Sequence, residues 1–167
     1  MKNFFLMLLL LGSTSVFSQE TFDTIPPYQK DSTFPHFMLL QTDSTWFLEN
    51  QLPRDKPVVI IYFSPTCGHC QLTANEFKRQ SQDLQNIFFV WASYSPMDEI
   101  KTFAQNFDLL YHPNIRIGRD PNYIIPAYFR VKYTPFIAVY NLHGKIIKTF
   151  EFGTDPETII DILKQIL

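Results

Sequence analysis

Apolar and polar positions fall along the chain in blocks whose length and period separate strands from helices. Two short apolar runs, 37–40 and 45–48, flank Gln41, Thr42, Asp43 and Ser44 and predict a β-hairpin. A polar link over 53–57 follows. The unbroken apolar run 58–63 then predicts a central strand buried on both faces. Cys70, Ala74, Phe77, Ser81 and Leu84 recur at helical spacing, with Gln71, Asn75, Lys78 and Arg79 off that face. Residues 87–94 predict the next strand, stopped by Ser95 and Pro96. Pro96, Asp98 and Glu99 open a helix that turns Ile100, Phe103, Ala104 and Phe107 inward. Beyond it, 114–117 predicts a short strand, 118–121 a turn, and 122–130 a helix disturbed by Pro126. Residues 136–140 and 145–152 predict a second hairpin across 141–144. Thr154 with Glu157 predicts a capping box, with Pro156 in the first turn, for a last helix carrying Ile159, Ile160, Ile162, Leu163, Ile166 and Leu167 on its apolar face. This order describes an α/β chain with a mixed central sheet flanked by helices and an N-terminal β-hairpin.

The first residues change the picture of where the protein works. Lys2, an apolar run over 4–11 and small residues up to Ser18 describe a secretory signal peptide over 1–18. The run is shorter than the ~20 residues that span a bilayer, and retention as an anchor is the alternative. Residues 19–35, with Pro26, Pro27 and Pro35 among Thr, Asp, Ser and Gln, read as an extended, poorly ordered lead segment. The folded domain is expected over 36–167.

Fourteen basic and 16 acidic residues leave the whole chain at −2. Removing 1–18 takes away Lys2 and no acid, which leaves 13 against 16, or −3. That balance carries no electrostatic footprint for nucleic acid or an anionic membrane. Membrane association is expected only if the N-terminal segment is retained.

The only two cysteines, Cys67 and Cys70, follow the central strand at the start of a helical pattern. A bridge two residues apart closes almost no loop and constrains the unfolded chain little, so the pair is chemical rather than structural. Strand, Cys-x-x-Cys and helix together read as a redox site. At a helix start, unpaired N–H groups and the positive end of the helix dipole favour a thiolate at Cys67. His69, between the cysteines, adds to that when protonated and pushes toward a more oxidising pair; a merely exposed histidine is the alternative. Phe63, Pro65, Tyr133 and Phe136 are either an apolar collar around the site or plain core.

Tyr62-Phe63-Ser64-Pro65-x-Cys67-Gly68-His69-Cys70, Val131-x-Tyr133-Thr134-Pro135 and Tyr140-Asn141-x-His143-Gly144-Lys145 resemble the thioredoxin fold of the TlpA/ResA type, exported thiol–disulfide oxidoreductases, over roughly 35–167. The resemblance implies a redox-active Cys67–Cys70 disulfide and a cis proline at Pro135 beside it. It implies a partner backbone received at Thr134, with Tyr133 and Pro65 alongside, and tuning by Gly68, His69 and Pro135. No cofactor is implied. The partners implied are exported proteins with disulfides or thiols and an upstream redox partner, in the periplasm. Two positions depart from the family. Ile61 stands where many thioredoxins carry a buried acid, and Thr73 stands where exported members often carry one, so no residue is assigned to move the proton of Cys70. A different class of function, copper handling by Cys67, His69 and Cys70, lacks a fourth ligand at diagnostic spacing.

Overall fold

The structure is a computed structural model that describes residues 24–165. The expected signal peptide, the start of the lead segment, Ile166 and Leu167 lie outside the described residues.

Strands β1 (Met38–Gln41), β2 (Trp46–Leu48), β3 (Val58–Tyr62), β4 (Phe88–Ser93), β5 (Ile115–Arg119), β6 (Phe136–Tyr140) and β7 (Ile146–Phe150) form one sheet in the order β2-β1-β5-β4-β3-β6-β7. β3 and β4 pair in parallel, as do β4 and β5, while the other neighbours are antiparallel. The mixed sheet and both hairpins match expectation.

Side chains on a strand alternate faces, so the apolar runs of β3, β4 and β6 serve two cores at once. Val59, Ile61, Phe89, Trp91, Ile137 and Val139 face helices α2 (Gly68–Arg79), α3 (Met97–Asn106) and α5 (Pro156–Lys164). Val58, Ile60, Tyr62, Val90, Ala138 and Tyr140 face α4 (Ile124–Phe129) and the chain before β1. Trp91 is fully buried as core, with its ring edge-on to Phe63 and Phe77.

Several elements depart from expectation, each for a tertiary reason. The described part of the lead segment, from residue 24, is packed rather than extended and holds a short helix, α1 (Pro27–Lys30). It straps the second core: Phe34 stacks on Tyr140 at 4.3 Å, Tyr28 meets Phe129 at 5.5 Å, and the Ile146 amide donates to the Ser32 carbonyl at 2.8 Å. The helix expected to reach Leu84 ends at Arg79. Leu84 is buried from a loop instead, where the buried Asn114 amide donates to the Leu84 and Ile87 carbonyls at 3.0 and 2.8 Å. Gly118 and Arg119 belong to β5, not to a turn. A Cβ on Gly118 would lie 2.5 Å from the Leu40 carbonyl oxygen, so the glycine lets β1 approach. Pro126 does not disturb α4, because it lies in the first turn, where an N–H has no helical acceptor. Asp120 caps that helix by accepting from the Ile124 and Ile125 amides. The last helix is capped by Asp155 and not by Thr154; its carboxylate accepts from the Thr158 amide at 2.8 Å.

Candidate active site

β3 ends in a tight turn that delivers Cys67 as the N-cap of α2, with extended backbone at φ −79° and ψ 120°. The Cys67 amide donates to the Ser64 carbonyl at 3.1 Å, and the Gln71 side-chain amide donates to the Pro65 carbonyl at 2.9 Å. The turn is therefore tied at both ends before the helix begins. The Cys67 sulfur occupies the place of a capping side-chain oxygen and accepts from the Cys70 amide at 3.4 Å. As a thiol it also donates to the Thr134 carbonyl at 3.4 Å, which ties the turn to the segment before β6.

The two sulfurs sit in different environments. Partial burial opposes ionisation of Cys67. Hydrogen bonds from the Cys70 thiol and amide, from the Thr134 side chain and from the His69 amide outweigh it, and the thiol is held below its ordinary value of 9.0. Cys70 is fully buried; burial, with the hydrogen bond its thiol gives to Cys67, pushes it up to about 12. Both cysteines are free thiols in this structure, Cys67 half-buried and Cys70 buried.

The Thr134–Pro135 peptide is cis, as the resemblance implies. Pro135 is buried against the chain leaving β7: a Cβ on Gly153 would lie 2.9 Å from the Pro135 Cγ and 3.2 Å from the Thr73 hydroxyl. Gly153 has φ +85°, a conformation that suits glycine. Tyr133 is 51% exposed and stacks at 4.5 Å on Phe152, itself 57% exposed.

Of the expected site residues, Cys67, Cys70, Thr134 and Pro135 come together, and Tyr133 flanks them on the surface. The collar of Phe63, Pro65, Tyr133 and Phe136 is not one surface. Phe63, Pro65 and Phe136 are buried because the strand ends that carry them are covered, and only Tyr133 remains outside. Pro65 thus presents little surface to a partner. Gly68 is exposed, and an added Cβ there would meet nothing within 4 Å, so the turn does not need a glycine. His69 is exposed, and its contribution to Cys67 comes through the backbone amide. Thr73 stands out in the sequence only as a departure from the family, and Phe152 and Gly153 only as the end of a strand; none of the three is marked there as part of the site. Among the described residues no three His, Cys, Asp or Glu side chains gather to hold a metal ion, so the copper reading gains no support.

The chain is 24% identical over 165 residues to a protein disulfide-isomerase of Datisca glomerata; the match covers 99% of this chain and 27% of that protein. A secreted disulfide oxidoreductase of Mycobacterium tuberculosis superposes with TM-score 0.63 at 17% identity, covering 78% of this chain and 94% of the other. The exposed lipoprotein thioredoxin of Streptococcus pneumoniae gives 0.60 at 18%, covering 78% and 98%. A thioredoxin-like protein of Porphyromonas gingivalis gives 0.62 at 17%, covering 81% and 90%. At these identities the likeness to the solved structures is one of fold. The thioredoxin family model matches residues 38–128, from the first strand through the cysteine pair to α4, and with more than half of its length so matched the chain belongs to the thioredoxin family.

Proposed function

We propose that the protein is an exported thiol–disulfide oxidoreductase that exchanges its Cys67–Cys70 pair with disulfides of partner proteins. The observation that carries this reading is the asymmetry of the two sulfurs: Cys67 capping a helix with its thiol held down, Cys70 buried with its thiol pushed up to about 12.

Written as reduction of a partner, the Cys67 thiolate attacks one sulfur of the partner's disulfide. A Cys67–partner disulfide forms, and the partner's other sulfur leaves as a thiolate that takes a proton from solvent. Cys67 is then neutral, and the hydrogen bond and negative charge that held the proton on Cys70 are gone. Cys70 attacks the Cys67 sulfur and closes the Cys67–Cys70 disulfide, and its proton ends on the departing partner thiolate. The partner gains two electrons and the protein loses two. An upstream dithiol partner returns them, and the same steps run backwards oxidise a partner. Thr134 and Tyr133 border the thiol and receive the partner's backbone and side chains there, while Pro135 fixes that segment.

Export rests on the signal-peptide pattern of residues 1–18, and the described residues contain no helix long and apolar enough to cross a membrane. The periplasm is the corresponding site of action. The test is a trap. Cys70→Ser should accumulate mixed disulfides with exported proteins through Cys67, and Cys67→Ser should not; the reverse pattern would overturn the assignment of attacking and resolving sulfurs.

A further inference from the structure

An open groove of about 360 Å³ lies directly beside the Cys67 turn, between Pro65 and Thr66 on one side and α3 on the other. α3 contributes Asp98, Glu99 and Phe103, and Phe107 follows at its C-cap. Thr66 is the residue before Cys67, so the groove begins one residue from the attacking sulfur. Asp98 and Glu99 are the only ionisable residues that line it. Neither is in an ion pair among the described residues, whereas the cation of Lys78 on α2 is taken by Asp108 at 2.6 Å. Both carboxylates lie in the first turn of α3.

We infer that this groove selects the partner by charge, receiving a Lys or Arg side chain on the stretch of partner chain that flanks its reacting cysteine. The inference rests on the exchange reading above and names the substrates it favours. A partner held through a disulfide to Cys67 places its flanking residues beside Thr66. From Asp98 to Phe107 the helix runs ~13 Å at about 1.5 Å per residue, a span that about four extended residues cover. A long cationic side chain matches the lining in both respects. Its aliphatic stem lies along the half-buried Phe107 and its charged end meets Asp98 and Glu99. An acidic partner segment brings like charges together in the same place and is disfavoured.

The test uses disulfide-containing peptides identical except for Lys or Glu at the positions flanking one cysteine. The rate at which each oxidises the dithiol protein is measured at low and at raised salt. The lysine peptide should react at least about fivefold faster at low salt, the scale expected for partly exposed charge pairs. The preference should shrink as salt rises. In D98N/E99Q the ratio should fall to within about twofold, while Glu157→Gln, an exposed acid on α5, leaves it in place and so removes the overall negative charge as the cause. Equal rates with the native protein, or a preference that survives in D98N/E99Q, would overturn the inference and leave the exchange reading intact. If neither peptide reacts with the native protein, the exchange reading falls and this inference with it.

Discussion

The difference between the two thiols can be measured by titrating their reactivity with iodoacetamide in the fully reduced protein. Only the thiolate reacts, so each rate follows the ionised fraction, and one pH unit below a pKa is tenfold in that fraction. Cys67 is held below 9.0, so at pH 7 more than ~1% of it is thiolate. Cys70, pushed up to about 12, is ionised to only ~0.001% at the same pH. The ionised populations alone separate the two sites by more than about a thousandfold, and the full burial of Cys70 widens the gap by blocking the reagent. The rates are read site by site from peptide masses after quenching. Cys67 should be modified essentially alone up to pH 9 and should reach its plateau below the pH at which a free thiol does. Comparable rates at the two sites, or a Cys67 titration at or above 9.0, would refute the reasoning, because neither is compatible with a capping sulfur beside a buried one.

Three further outcomes follow from the fold. The raised thiol of Cys70 means that the folded dithiol form holds its proton more tightly than the unfolded chain does. The stability this gives is present in full below about pH 9 and is lost as pH rises toward about 12; urea unfolding of Cys70→Ala should show a shallower decline that begins at higher pH, the remainder coming from Tyr62 and Tyr140, whose phenols burial also pushes up. Asp155→Ala removes the cap of α5 and should cost about 1 kcal/mol in the same assay, with Thr154→Ala far less costly. Gly118→Ala drives a Cβ against the Leu40 carbonyl and should speed hydrogen exchange at the amides that join β1 to β5, with those of β3 and β6 unaffected.

What was legible in the sequence is what local pattern determines. β3, β4 and β6 are continuous apolar runs because both faces are covered, and such runs are visible without partners. Cys67 and Cys70 were visible because a strand, a turn and a helix start meet there within a dozen residues. The packing of the lead segment from residue 24 is not legible in the sequence, because it comes from distant rings, Tyr140 and Phe129, and not from its own prolines. Gly118 suggests a turn in sequence because a glycine that admits a neighbouring backbone looks the same there as one that bends the chain. The choice between collar and core for Phe63, Pro65 and Phe136 is not legible in the sequence, because an aromatic or proline beside a reactive cysteine carries no mark of which way it faces. The groove along α3 is a product of packing, in which Asp98 and Glu99 read only as the acidic opening of a helix.

The claim on which the account depends is that both sulfurs act on one partner disulfide in turn. A single-turnover mixture of the reduced native protein with an equimolar disulfide peptide, quenched in acid and digested, tests it most directly. The account predicts that both protein thiols disappear, that a peptide bridging Cys67 to Cys70 appears, and that the added peptide carries two new thiols. Reduced peptide in the absence of that bridge, or protein thiols that persist at equilibrium with every disulfide offered, would contradict it.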